Sequence, residues 1–183
     1  MFAVSSIPQE KGSQVLHVVD PAQLGQIPEP RKATISDVDG MSALINEFAS
    51  ARIMLARGPL YLYQSIQDYR VMTIPGKDPA REVVVACGGL HVLWEDLAEV
   101  RSVAVNPHLQ GMGLGTAVVK ALIADAKRLG VRHVFTFTLA EGFFRGLNFN
   151  VIERSSIPPV VWAECSKCPK FYKCDEIGMM LDI

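Results

Sequence analysis

Residues 99–116 read EVRSVAVNPHLQGMGLGT, and they indicate a β-strand, a glycine-rich loop and a helix start in direct succession. The strand is rich in valine and ends at Asn106-Pro107, because proline cannot donate to a strand ladder. The three glycines of the loop let the backbone approach a ligand closely, and the first N–H groups of a helix have no partners within that helix. The stretch therefore predicts a binding site for a phosphate-bearing ligand.

Two common phosphate loops do not match this stretch. A Walker loop requires Gly-Lys followed by Ser or Thr, whereas residues 115–117 read GTA. A dinucleotide-binding loop requires GxGxxG within a βαβ unit, but here the third glycine comes too early and the preceding strands are predicted to be an antiparallel meander. A purely structural tight turn is the remaining alternative.

Composition restricts the classes of protein to which the chain can belong. Its 183 residues suit one domain, and a formal net charge of -1 favours small-molecule partners over nucleic acid or a membrane surface. We find no apolar run of the roughly 20 residues needed to span a bilayer, and the first residues lack the features of a signal peptide. We therefore expect a cytoplasmic protein with reduced or metal-bound cysteines.

The predicted elements up to residue 152 follow the order β-α-α-β-β-β-α-β-α-β, and a last strand comes after them. This order indicates an α/β or α+β domain with helices on the faces of one sheet. Residues 1–29 are interpreted as an extension with one strand near residues 15–19, and residues 30–183 as the domain. Ser36, with Asp39 three residues later, is predicted to cap the first helix, and Gly88-Gly89 to form a bulge. The predicted strands are 32–35, 71–74, 82–93, 98–106, 134–139, 148–152 and 176–183. Four helices are predicted: one begins after Ser36, one begins after Pro59, and the other two span 114–129 and 141–147.

The glycine loop resembles the acetyl-CoA signature of the GNAT N-acetyltransferase superfamily, which is Gln/Arg-x-x-Gly-x-Gly/Ala, at Gln110, Gly113 and Gly115. Residues 142–149, GFFRGLNF, are similar to the short helix and following strand of that family. The resemblance covers residues 30–183. It implies the GNAT fold, a mixed and mostly antiparallel central sheet flanked by helices.

A narrower resemblance is to the short bacterial N-acetylglutamate synthases, amino-acid acetyltransferases that open arginine biosynthesis. It rests on residues 90–105 and on residues 53–66. It implies transfer of acetyl from acetyl-CoA to the α-amine of L-glutamate by direct attack in a ternary complex. The alternatives are another amino acid or small amine as acceptor, and a non-catalytic module that binds CoA or an amino acid. A homodimer is compatible with the sequence.

The GNAT resemblance implies which residues bind the cofactor. The pyrophosphate of CoA would bind the N–H groups of residues 110–116, and the pantetheine arm would pair with the preceding strand. Phe144 occupies the position at which many members carry a tyrosine that protonates the leaving thiolate. The predicted cofactor-binding residues are Val103, Ala104, Val105, Gln110, Gly111, Met112, Gly113, Leu114, Gly115, Thr116 and Phe144.

Acetylation of an ammonium group also needs a base, and glutamate needs groups that bind carboxylates. Glu99 is predicted to be the base, because many family members remove the amine proton through a glutamate at this position. Arg57 and Arg101 are predicted to bind the acceptor, since guanidinium groups pair well with carboxylates. The alternative is that these three residues are ordinary solvated charges.

A cysteine cluster lies near the C-terminus at Cys165, Cys168 and Cys174. Three thiols with Asp175, a histidine or Cys87 as fourth ligand would suit tetrahedral zinc. The second Cys-x2-Cys pair of a common zinc array is missing, so free thiols are the alternative.

Overall fold

The computed structural model describes residues 19–76, 78, 81–153, 156–166, 168 and 170–183. The strand predicted near residues 15–19 falls almost entirely outside them. Within the described residues, seven strands form one sheet in the order β1-β2-β3-β4-β5-β7-β6. The β4–β5 pair is parallel and every other pair is antiparallel, which confirms the mixed, mostly antiparallel sheet. The strands are β1 (Arg31–Lys32), β2 (Tyr69–Pro75), β3 (Glu82–Val92), β4 (Leu97–Val105), β5 (His133–Thr138), β6 (Asn150–Val151) and β7 (Ile177–Asp182).

Helices cover both faces of the sheet, namely α1 (Val38–Ser50), α2 (Pro59–Gln64), α3 (Leu114–Leu129), α4 (Glu141–Arg145) and α5 (Trp162–Cys165). On one face, α1 and α2 bury Leu44 and Leu62 in a cluster with Tyr69 of β2. On the other face, α3 buries Val118 and Leu122, which lie four residues apart on one side of the helix. The predicted boundaries of α3 are confirmed, with Gly130 at a φ of 80° ending the helix.

The start of α1 differs from the prediction. The Thr34 N–H and hydroxyl both donate to the Asp37 carboxylate, at 2.7 and 2.9 Å, and Arg31 pairs with the same carboxylate. This capping box opens a 3₁₀ turn at Ile35, which is exposed and outside the sheet. The predicted Ser36–Asp39 cap is therefore wrong, because Asp37 forms the cap with the threonine two residues before Ser36.

A bulge in β4 positions the site. The register between β3 and β4 shifts between Cys87 and Gly89, and Ser102 on the opposite strand has a positive φ of 53°. A Cβ on Gly88 would lie 2.8 Å from Val118 of α3, so glycine allows the close helix–sheet approach beside the bulge. On its other side, β4 pairs with β5 only through residues 97–99, opposite residues 133–135, so the two strands separate before the bulge is reached. The two diverging strands open a cleft in the middle of the sheet.

A buried carboxylate, Asp125, and the cations around it tie α3 to the first two strands. Arg70 of β2 holds both carboxylate oxygens of Asp125 at 2.7 Å, and Lys32 of β1 lies 3.0 Å from the same carboxylate. Arg128 makes a further contact with Asp125. Burial raises the pKa of Asp125, but the hydrogen bonds from Arg70 and Lys32 outweigh it and hold the pKa below its ordinary value.

In the described part of the chain, no helix is long and apolar enough to cross a membrane.

Candidate active site

The cleft between β4 and β5 contains most of the predicted cofactor residues. Seven of them line it, namely Val103, Val105, Gln110, Gly111, Leu114, Gly115 and Phe144. The opposite wall comes from the end of β5 and from Phe143 of α4. Ala104, Met112, Gly113 and Thr116 do not line the cleft with the others. Ala104 is buried on the other face of the sheet with Cys87, because neighbouring residues of a strand point to opposite faces.

The helix start at the end of this cleft is suited to an anion. Gly111 and Gly113 have φ values of 79° and 89°, in the region that favours glycine, and Gly113 is the N-cap of α3. No side chain caps this helix, and its first turn carries no acidic residue. The first N–H groups of α3 and the positive end of its dipole can therefore bind a phosphate group.

A second pocket joins the cleft. Arg57, Glu99 and Arg101 line it, which brings together the three residues predicted for the base and the acceptor. Its other walls come from residues 54–55 after α1, from β5 and from the segment that leads into β7. The two cavities share Met54, Arg101, Ser102, Phe137 and Glu176 in their lining.

Both arginines approach the same aromatic ring. The Arg57 guanidinium lies 4.2 Å from the centre of the Tyr61 ring, and the Arg101 guanidinium lies 5.8 Å from it. The Asn46 side chain holds the backbone of Arg57, accepting its N–H and donating to its carbonyl, each at 3.0 Å. These contacts fix two cations on one side of the pocket. The roles of Asn46 and Tyr61 were not predicted from the sequence, because these contacts depend on how α1 and α2 pack.

Glu99 and Arg101 form an ion pair within the pocket. Arg101 Nη1 lies 3.8 Å from Glu99 Oε2, with 6% of the arginine side chain and 17% of the glutamate side chain exposed. Both residues are therefore held in a partly desolvated position, where charge interactions are stronger than at the surface. This burial argues against the alternative of ordinary solvated charges for this pair.

Glu176 lies at the junction of the two cavities, and sequence reasoning missed it. It immediately precedes β7, and the Cys174 thiol donates to its Oε2 over 3.9 Å. Burial raises the pKa of Glu176, Asp175 raises it further, and Lys170 opposes the change. The sequence placed Glu176 only at the start of the last strand, and nothing in it indicated that β7 inserts beside β5.

The structure does not support the predicted zinc site at the cysteine cluster. Among the described residues, no three histidine, cysteine or carboxylate side chains come together as metal ligands, and the thiols of Cys165, Cys168 and Cys174 are free. Burial, followed by the charge of Glu99, raises the pKa of Cys165 to about 11. Without a metal ion, its thiol is therefore protonated at neutral pH. The three cysteines instead line the second pocket.

Phe144 is a buried hydrocarbon wall of the cleft. Its ring packs edge-to-face against Phe143 and Phe149, with centroids 5.0 and 5.2 Å away. A phenylalanine has no proton to donate, so a leaving thiolate in this cleft needs another proton source.

Comparison with known proteins identifies the family. The model of the acetyltransferase (GNAT) family matches residues 46–149. An uncharacterized N-acetyltransferase of Chlorobaculum tepidum is 32% identical over 150 residues, which cover 82% of this chain and 93% of that protein. An amino-acid acetyltransferase of Mycobacterium tuberculosis is 37% identical over 140 residues, which cover 75% and 76% of the two chains.

Solved structures agree with this match. A Mycobacterium tuberculosis protein crystallised with CoA and NLQ is 31% identical, with a TM-score of 0.71 over 85% of this chain and 99% of that one. The N-acetylglutamate synthase of Neisseria gonorrhoeae, crystallised with coenzyme A and N-acetyl-glutamate, has a TM-score of 0.73 at 19% identity. That likeness concerns the fold alone and covers 84% of this chain but 34% of the Neisseria chain. From its sequence, its sheet with the split between β4 and β5, and these matches, the chain belongs to the GNAT acetyltransferase family.

Proposed function

We propose that this protein transfers the acetyl group of acetyl-CoA to the α-amine of L-glutamate, the first step of arginine biosynthesis. The observation that carries the proposal is the pair of joined cavities. The cleft between β4 and β5, here called the cofactor cleft, ends at a helix start suited to phosphate, and the second pocket, here called the acceptor pocket, is lined by two arginines. Acetyl transfer to an amine requires such a junction, because the thioester and the nucleophile must meet within about 3–3.5 Å.

Acetyl-CoA is the donor in this proposal. The pyrophosphate would bind the N–H groups at the start of α3, and the pantetheine arm would lie along the part of β4 that does not pair with β5. A backbone N–H near Val103 would then stabilise the oxyanion that forms on the thioester carbonyl. Two solved structures of similar proteins contain CoA, which supports this choice of donor.

An amino acid with a second carboxylate is the acceptor. Arg57 and Arg101 provide two guanidinium groups on one side of the pocket, and each can bind a carboxylate through two hydrogen bonds. The Mycobacterium tuberculosis relative is named an amino-acid acetyltransferase, which supports the acceptor class. We choose glutamate among amino acids because its two carboxylates match the two arginines of the pocket.

The chemistry in this proposal is direct attack in a ternary complex. Glu99 accepts a proton from the acceptor ammonium, either directly or through a water molecule, and the free amine attacks the thioester carbonyl. The new C–N bond gives a tetrahedral adduct, the C–S bond of this adduct then breaks, and CoA leaves as a thiol after its sulfur is protonated. Arg101 keeps Glu99 in place through their ion pair.

An acceptor panel tests the proposal. Purified protein is given acetyl-CoA and one of the twenty amino acids, and release of the CoA thiol is followed together with the acetylated product. The proposal expects turnover that is fastest with glutamate. Turnover only with other amines would refute glutamate as the acceptor, and CoA binding without turnover for any amine would refute the enzymatic function.

A further inference from the structure

The proposed reaction has a proton requirement that Glu99 does not meet alone. An ammonium group that becomes an amide loses two protons from nitrogen, one before attack and one from the tetrahedral adduct. The departing sulfur gains one proton. Phe144 lines the cofactor cleft but cannot donate a proton to that sulfur. A second group that exchanges protons should therefore lie where the nitrogen and the sulfur meet.

Glu176 occupies that junction. Among the carboxylates of the described residues, it is the one that lines both the cofactor cleft and the acceptor pocket. Glu99 lines the acceptor pocket only and lies beside Arg101. Glu176 is placed by the sheet itself, since the next residue, Ile177, pairs with Thr138 at the end of β5 and Thr138 lines the cleft.

The surroundings of Glu176 suit reversible proton transfer. Burial raises the pKa of its carboxyl group, and a raised pKa brings a carboxyl closer to the operating pH of an acid–base group. The charged and titratable groups near it in its own segment are Asp175, Lys170 and Cys174. Those that line the pocket with it are Glu99, Arg101, Arg57, Cys165 and Cys168.

We propose that Glu176 carries the second proton from the nitrogen of the tetrahedral adduct to the departing sulfur of CoA. The inference rests on the proposed acetyl transfer. In this step the adduct nitrogen gives a proton to the Glu176 carboxylate, the C–S bond breaks with its electron pair on sulfur, and the carboxyl group returns the proton to that sulfur. Glu176 ends as it began, and Glu99 holds the first proton until solvent removes it.

The test compares Glu176→Gln with Glu153→Gln. Glu153 is exposed and does not line either cavity, so its variant is a matched control. We expect Glu176→Gln to lower kcat about 100-fold or more, with CoA affinity measured by calorimetry unchanged and with the thermal midpoint near that of the wild type. Glu153→Gln should retain the wild-type kcat. A kcat for Glu176→Gln within threefold of the wild type would overturn the proposal.

A pH profile distinguishes the two glutamates and keeps the test valid if Glu176→Gln proves unstable. At high pH more of the acceptor is already a free amine, so Glu99→Gln should recover activity while Glu176→Gln and Glu176→Asp should stay slow. Recovery of both Glu176 variants at high pH would contradict a role at the leaving group. If the wild type transfers acetyl to no amino acid, the proposed function fails as well, whereas active wild type with active Glu176→Gln refutes this inference alone.

Discussion

The cofactor cleft and the acceptor pocket are built from the chain in different ways. The wall of the cleft that is suited to the cofactor comes from continuous sequence, because the end of β4, the glycine loop and the start of α3 lie within residues 99–116. The acceptor pocket collects side chains from the loop after α1, from β4 and from the segment before β7. Both of its arginines lie near the Tyr61 ring of α2, and the backbone of Arg57 is held by the Asn46 amide of α1.

The two regions therefore depend on different features of the chain. The cleft depends on backbone conformation and on N–H groups at the helix start, so CoA binding should tolerate changes of side chain at many positions. The pocket depends on charged side chains held at fixed places, so it should control which acceptor is used and how fast it reacts. The following predictions test this division between donor binding and acceptor chemistry.

The largest effect is expected from Glu99→Gln, in the acceptor pocket. Loss of the base should lower kcat at neutral pH about 100-fold or more, with little change in the KM for acetyl-CoA. Steady-state rates across pH 6–10 measure this, with Glu95→Gln in the exposed turn between β3 and β4 as the control. An unchanged kcat at neutral pH would remove Glu99 from the mechanism.

Arg57→Ala should weaken binding of the acceptor and leave binding of acetyl-CoA unaffected. Loss of a charge-assisted hydrogen bond costs about 1.5–3 kcal/mol, so the KM for glutamate should rise about tenfold or more while the KM for acetyl-CoA stays within twofold. The exposed Arg132→Ala variant controls for loss of positive charge. A rise in the KM for acetyl-CoA alone would show that Arg57 acts in cofactor binding and would contradict the division between donor binding and acceptor chemistry.

Gly113→Ala should have the opposite pattern. At a φ of 89° an alanine is disfavoured, by about 1–2 kcal/mol, so the free loop should relax and CoA binding would have to restore it. We expect the Kd for CoA, measured by calorimetry, to rise about fivefold or more, with the KM for glutamate unchanged. Gly142→Ala in α4 is the control, because a Cβ there meets no atom within 4 Å. An effect confined to glutamate would contradict the account.

Asp125→Asn lies outside both regions and should change stability but neither KM. Removing the carboxylate leaves Arg70 without its buried partner, which should cost about 2 kcal/mol after allowing for the partly exposed cations. The pKa of Asp125 is lowered in the folded state, so its stabilisation is present above about pH 3.9 and is lost as the pH falls through the folded value. Thermal unfolding of variant and wild type should therefore differ at pH 7, and the difference should shrink as the pH falls below about 3.9. A constant difference would rule out the Asp125 ion pairs as its cause.

The sequence was sufficient for most of the regular elements and for the cofactor loop because their signals are local. Apolar spacing along α3 and the glycines before it are readable within a few residues. Gly88-Gly89 mark the place where the β3–β4 register shifts, although the extra residue lies in β4. The cap of α1 was assigned to Ser36 instead of Thr34, because two overlapping cap patterns occur within six residues.

The acceptor pocket was predictable only in part. Glu99, Arg57 and Arg101 were found through the family resemblance, but the junction at Glu176 depends on β7 inserting between β5 and β6. The spacing of the cysteines is a local signal that suggests zinc, whereas their position beside Glu99 and Glu176 is a tertiary property that the sequence does not show. Long-range packing therefore accounts for most of what the sequence did not reveal.

The central claim is that donor and acceptor bind together in joined cavities and react directly. Initial rates of CoA thiol release, measured while acetyl-CoA and glutamate are varied against each other, test it most directly. The account predicts that the rate depends on both substrates and that the double-reciprocal lines intersect. Parallel lines, which indicate an acetyl-enzyme intermediate, or a rate independent of glutamate would contradict it.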